Sequence, residues 1–204
     1  MLRKLGRRRE GSKAPENKIV PPGQFTTEKF PVLTFGSIPV IDLNAWQLNV
    51  SGLVSNEISF NWRTICRLPK TTVIAEFHCV TQWSRLQNTW EGILFTDVME
   101  LIALKPGAHF VMFHCYGGYK TNIPIDSLMD PDVMFAYRHD GELLTPDHGG
   151  PLRLIVPKLY GWKSAKWVNG MEFLSDNLPG FWEKRGYNME GNPWKEQRFR
   201  DQAL

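Results

Sequence analysis

The sequence predicts a β-rich α+β domain. Short apolar runs recur between clusters of turn-forming residues, the helical periodicities are brief, and no internal repeat or low-complexity tract interrupts them. With 204 residues, 42% hydrophobic and 22% charged, the chain can build one domain with a sizeable core.

Residues 1–24 lack apolar periodicity and contain Pro15, Pro21, Pro22 and Gly23. They are expected to form a flexible basic segment, with a single domain over 25–204. Arg3, Lys4, Arg7, Arg8, Arg9 and Lys13 crowd into this start and account for much of the +3 net charge. A solvated tail is the ordinary outcome of such a run, and a nucleic-acid or membrane-surface contact is the alternative. The arginines lead into the polar tract EGSKAPENK, where an export signal would need an apolar stretch. No apolar run approaches the ~20 residues of a membrane span. The expectation is therefore a soluble, cytoplasmic protein with no membrane span and no specific nucleic-acid partner.

Trp46, Leu48 and Val50 alternate with Gln47 and Asn49, which predicts a half-buried strand ended at Gly52. Trp62, Ile65 and Leu68 share one face of a short helix over Asn61 to Leu68, stopped before Pro69. Thr71 to Cys79 is rich in β-branched residues and reads as a strand. Val98, Leu101 and Ile102 suggest a second helix with Thr96 as N-cap. Phe110 to His114 and Leu152 to Val156 are further strands, and the aromatic region Phe181 to Trp194 is expected to cap the core.

Two segments carry chemistry. In FHCVTQWS (77–84) a strand ends at Cys79 and gives way to a polar stretch, a common place for active-site residues. A thiolate there could serve as nucleophile or metal ligand, and a buried structural cysteine is the plainer alternative. His78 alternates away and should be a surface residue or a donor behind the cysteine. Trp83 is expected mainly to pack. Cys66 should be buried, and His109 and His139 should be ordinary polar positions. Three cysteines cannot all pair, and none lies in a CxxC motif. The second segment, DHGGPLRLIVPKLYGWKSAKW (147–167), joins a glycine pair, Arg153 and a Gly–x–Lys–Ser turn before Lys166. The arginine's planar fork, the lysine's point charge and close backbone approach at glycine suit a phosphate-bearing ligand. A turn with two ordinary surface cations is the other reading.

Taken together, these motifs resemble the molybdopterin domain of the sulfite oxidase family. The similarity extends to short single-domain bacterial members related to the methionine-sulfoxide reductase catalytic subunit. It covers roughly Pro21 to Trp194 and implies the β-rich sulfite-oxidase-type molybdopterin-binding fold. It also implies a molybdenum–molybdopterin (Mo-MPT) cofactor and two-electron oxygen-atom transfer on a small, sulfur-containing substrate, with an unidentified electron-transfer partner. Carried over by position, the molybdenum-ligating cysteine falls on Cys79. The residues holding the pterin and its phosphate fall on His148 and Arg153, and the cofactor-contacting turn on Ser164, Ala165 and Lys166. A further cofactor contact at the end of a central strand falls near His114 or Cys115, and the substrate-facing tyrosine on Tyr137. The chain has room for neither the family's dimerisation domain nor its haem domain, so a monomer is expected. Arg85 and Arg138 are the arginines nearest these positions, and the sequence does not direct either to the metal. Two other functions stand beside this one. They are a cysteine-nucleophile hydrolase with His114 or His148 as base, and a non-catalytic molybdopterin- or anion-binding module.

Overall fold

The computed structural model describes residues 20–200. The arginine-rich residues 1–19 of the expected flexible segment lie outside the described residues. In chain order the elements are β1 (Phe25–Thr26), β2 (Gln47–Gly52), β3 (Ile58–Asn61), α1 (Trp62–Ile65), β4 (Thr71–His78), β5 (Trp83–Leu94), α2 (Phe95–Met99), β6 (Phe110–Cys115), β7 (Lys120–Pro124), α3 (Ile125–Leu128), β8 (Met134–His139), β9 (Glu142–Leu143), β10 (Arg153–Ile155) and β11 (Val168–Leu174).

The strands form two sheets. One runs β3-β2-β11-β6-β7, with β11 parallel to β2 and antiparallel to β6. The other runs β1-β5-β8-β10, with β4 added on β5 and β9 on β8. The alternation read from Trp46 to Val50 is realised, with Trp46, Leu48 and Val50 at most 1% exposed and Gln47 and Asn49 in solvent. The main core joins the facing sides of both sheets, bringing Leu48, Phe113 and Phe173 from one against Ile93, Phe135 and Leu154 from the other.

The helices are shorter than their periodicity suggests. Asn61 caps α1 by accepting from the Thr64 amide at 2.8 Å, yet the helix closes after one turn and Leu68 is held only by a turn bond to Ile65. Thr96 is not the cap of α2. The helix starts two residues earlier than that cap would place it, at Phe95 behind Leu94, with no side-chain cap. Phe95 is fully buried and its amide bonds to Val133 O, so β5 feeds directly into the helix and leaves no room for a capping turn. Among the described residues no helix is long and apolar enough to cross a membrane.

Over β5, β8 and β10 the second sheet is buried on both faces, and this sets where chemistry can occur. Along β8, Met134 and Ala136 join a separate cluster with Phe77, Cys79, Trp83, Trp90 and Ile155, while Phe135 and Tyr137 pack toward the main core. The period of two in a strand sends neighbours to opposite faces, so the sheet is a wall between core and site. Phe113, ringed by Phe95 and Phe135 at 6.3 and 6.2 Å, anchors the core side. Phe113→Ala should lower the unfolding free energy by about 3–5 kcal/mol, whereas Val40→Ala, at a fully exposed side chain, should change it by less than ~0.5 kcal/mol. Urea unfolding checks both, and a wild-type midpoint for Phe113→Ala would contradict this packing.

Candidate active site

Cys79 stands at the tip of the β4–β5 hairpin. Its amide donates to Trp83 O at 2.8 Å, and Gln82, at φ 72°, closes the turn by donating to Cys79 O. The thiol is 7% exposed, and its polar neighbour is Thr81 Oγ1 at 3.1 Å. Burial pushes the thiol pKa up, while the Thr81 hydroxyl and the amides of Thr81 and Val80 oppose that shift. Residues 20–24, assigned from sequence to the flexible segment, brace this turn. Pro21 is buried, Gln24 Nε2 donates to Cys79 O at 3.1 Å, and Phe25 N donates to Gln82 O.

Arg153 and Ile155 share the site face of β10. The Arg153 guanidinium is 2% exposed and donates from Nη1 to His148 O (2.8 Å) and from Nη2 to Ser164 O (3.1 Å). It lies 5.4–5.6 Å from the rings of Phe30, Phe77 and Trp90. Its Nε has no partner, and no carboxylate among the described residues pairs with it. Burial lowers its pKa to about 9. Lys166 Nζ donates to Asp147 O, Leu33 O and Thr34 Oγ1 at 2.6–2.9 Å, and burial, with Arg153 nearby, lowers its pKa to about 8. Gly149 makes this convergence possible. Its φ is 103°, and a Cβ there would fall 2.9 Å from the Lys166 stem and 3.2 Å from that of Arg153.

These groups open into one cavity of about 350 Å³. Of the residues expected from sequence, it receives Cys79, His148, Arg153, Ser164, Ala165 and Lys166. The other three lie elsewhere. His114 points from β6 to Glu172 at 2.8 Å, and Cys115 is buried in the main core. What reaches the cavity from that strand end is the following turn, through Gly117 and Tyr119. Tyr137 faces the main core, on the side of the sheet opposite Cys79. The aromatic C-terminal region does not simply cap the core, because Phe181, Trp182 and Tyr187 form a wall of the cavity. Burial and then the neighbouring Cys79 raise the Tyr187 pKa. Sequence reasoning passes over Tyr187 because an aromatic-rich stretch reads as packing material.

Arginines that could meet an anionic substrate are turned away. Arg85 is bound to Asp140, Asn88 and His139, and Arg138 to Glu91 and Gly141 O. His139 is therefore part of a half-buried network and no ordinary polar position. Cys66 is only half-buried, at the end of α1.

Comparison with known proteins decides the family. Residues 35–182 match the family described as "Oxidoreductase molybdopterin binding domain". The chain belongs to that family. It is 44% identical over 181 residues to the "Uncharacterized oxidoreductase YuiH" of Bacillus subtilis (strain 168), covering 88% of this chain and 91% of that one. It is 29% identical to the "Putative protein-methionine-sulfoxide reductase subunit YedZ1" of Azospira oryzae, covering 86% and 68%. It is 30% identical to the "Sulfite oxidase" of Arabidopsis thaliana, covering 76% of this chain but only 48% of that protein. The sulfane dehydrogenase SoxCD of Paracoccus pantotrophus shares the fold, with a TM-score of 0.62 at 23% identity over 68% of this chain and 40% of that one.

Molybdenum–molybdopterin is the cofactor this family implies, and the cavity fits it. A buried guanidinium without a counter-ion calls for an anion, and a phosphate monoester supplies one. Among the described residues no group of three or more His, Cys, Asp or Glu could hold a metal ion. A soft thiolate supplemented by a cofactor's own sulfur ligands matches that donor set.

His78, expected at the surface or behind the cysteine, is 2% exposed. Its Nδ1 meets Ser84 Oγ at 2.8 Å, and its Nε2 lies 3.2 Å from the solvent-facing Glu76 carboxylate. Phe77 and His78 face opposite sides of β4, and His78 is buried because its side is covered too, by Ser84 and Trp194. Burial lowers the His78 pKa to about 4. The unfolded chain then takes up a proton at higher pH than the fold does, so stability should fall as pH drops from ~6.5 through about 4. His78→Gln should flatten that decline in denaturant titrations. An unchanged pH slope would contradict the buried, neutral imidazole.

Proposed function

We propose that the chain is a molybdenum-dependent oxidoreductase that transfers an oxygen atom, with two electrons, to or from a small neutral sulfur compound of the sulfoxide–thioether type. The observation that carries this reading is that Cys79 opens into the same cavity as the uncompensated Arg153 guanidinium. Cys79 would be the protein's ligand to molybdenum. Arg153, His148, Lys166 and the Ser164–Ala165 backbone would hold the pterin and its phosphate. When bound, the cofactor supplies the two-electron oxygen-transfer chemistry. An electron partner would return the site to its starting state. Three free cysteines support a cytoplasmic setting.

The chain's own residues do the rest. Thr81 Oγ1, 3.1 Å from the Cys79 sulfur, would donate to a thiolate there and partly offset the burial that disfavours it. The aromatic side chains of Phe35, Trp83, Trp162 and Trp182 line the cavity and would limit the water around a bound cofactor. Arg153 and Lys166 would be taken up by the pterin and its phosphate, and Arg85 and Arg138 lie outside the lining, so among the described residues no other arginine or lysine lines the cavity to select sulfite or nitrate. Tyr187, as a phenol on this wall, would donate a hydrogen bond to the substrate oxygen. In the reductive direction a sulfoxide takes two electrons and two protons and leaves as thioether and water. Tyr187 is placed to orient that oxygen as its protons arrive. The cysteine-nucleophile alternative lacks support, since the polar partner of Cys79 is a threonine and not a histidine.

Metal and pterin content of the purified chain tests the reading, in a host shown to load another molybdoenzyme. About one molybdenum and one pterin per chain are expected. Both should be lost in Cys79→Ala and Arg153→Ala while the two variants still unfold cooperatively. Tyr187→Phe should keep its cofactor but reduce methionine sulfoxide with reduced benzyl viologen ~100-fold more slowly. Wild-type metal content in Cys79→Ala, or faster turnover of nitrate than of the sulfoxide, would refute the proposal.

A further inference from the structure

Lys163 and Glu183 form an ion pair sealed from solvent, with Nζ 2.6 Å from Oε1 and side chains 1% and 0% exposed. Lys163 Nζ also donates to Asn122 O at 2.8 Å. The same Glu183 Oε1 accepts from Trp162 Nε1 (3.1 Å) and Thr121 Oγ1 (3.2 Å). Its other oxygen, Oε2, has no hydrogen-bond partner among the described residues and packs 2.6 Å from where a Cβ on Gly180 would fall. Three donors thus converge on one oxygen while the second stays bare. Such a pair is a poor device for stability, because withdrawing both charges from water offsets their attraction, and apolar side chains of similar volume commonly do as well or better. What the pair does provide is fixed geometry.

Each charge directly follows a tryptophan, in Trp162–Lys163 and Trp182–Glu183. The Tyr187 ring stands between those two indoles, stacked on Trp182 at 4.9 Å and 23° and edge-on to Trp162 at 5.0 Å and 82°. Its amide donates to Trp182 O, and Glu183 Oε1 holds the Trp162 indole directly. We propose that the Lys163–Glu183 pair is a positioning clasp that closes the two tryptophans on Tyr187 and so aims its phenol into the cavity. Lys163 also opens the Ser164–Lys166 turn, so the clasp ties the anion-holding side of the cavity to its aromatic wall. The effect of the clasp on turnover rests on the function proposed above, in which Tyr187 meets the substrate. Its effect on Tyr187 itself does not.

The test replaces both charges, as Lys163→Met with Glu183→Leu. The readouts are thermal unfolding, pterin content, sulfoxide kinetics, and the ring signals of Tyr187 in a ¹³C-tyrosine NMR spectrum. With five tyrosines in the chain, the Tyr187 signals are assigned by their loss in Tyr187→Phe, and this measurement needs no turnover. The double variant should unfold cooperatively and keep its pterin. Its Tyr187 signals should move toward those of free tyrosine, and kcat should fall about 10- to 100-fold with KM little changed. A folded double variant with unmoved Tyr187 signals overturns the clasp. Signals that move while kcat stays at wild type support the clasp and overturn the role of Tyr187 in turnover. Should the double variant not fold, Lys163→Met alone, in which the buried carboxyl can take up a proton, serves in its place. Moved Tyr187 signals in that variant support the clasp, and unmoved ones overturn it.

Discussion

A guanidinium held out of water, stacked among three aromatic rings and given only backbone carbonyls to bond, is a standing electrostatic demand in the middle of this fold. Desolvation disfavours the charged form of Arg153, and cation–π contacts with Phe30, Phe77 and Trp90 recover only part of what water would give. Much of the surrounding architecture follows from keeping that group in place. Gly149 gives way so that the Arg153 and Lys166 stems converge, and His148 and Ser164 turn their carbonyls inward. The result is a cavity wall waiting for an anion, opposite a thiol on a rigid hairpin tip. The cofactor this family implies would fit there, since a molybdopterin carries a phosphate at one end and sulfur ligands at the other.

The second constraint is the sheet of β5, β8 and β10, buried on both faces, with β4 added at its edge on the site side. One face completes the main core, and the other builds the site from Phe77, Cys79, Trp83, Arg153 and Ile155. Burial on both sides holds the register firmly, because a slip of one residue would exchange core and site side chains. It also sorts residues between roles with no regard to their chemistry. Tyr137 carries a suitable phenol but faces the core, whereas Tyr187, far along the chain, reaches the cavity from the irregular C-terminal region.

That sorting explains what can be read from the sequence. The strand at Trp46–Val50, the strand ending at Cys79 and the anion-suited HGG and GWKS segments are legible, because alternation and turn chemistry are local signals. Cys79, Arg153 and Lys166 are singled out by such signals together with the family resemblance. The burial of His78 is obscured because the cover on its side of β4 comes from residues remote in sequence, Tyr160 and Trp194. His114 and Cys115 lie off the cavity, and from that strand end the turn beyond lines it, at Gly117 and Tyr119. Tyr187, Trp162 and Trp182 depend on long-range closure through Lys163 and Glu183, and nothing in their local pattern announces it.

In the proposed function the Cys79 sulfur completes the metal's coordination in this cavity. Molybdenum-edge X-ray absorption of the loaded chain, compared with Cys79→Ser, examines that bond itself. The wild type should show a thiolate sulfur scatterer beyond the cofactor's dithiolene pair, replaced by oxygen in whatever metal the serine variant retains. An identical sulfur shell in both proteins would contradict it.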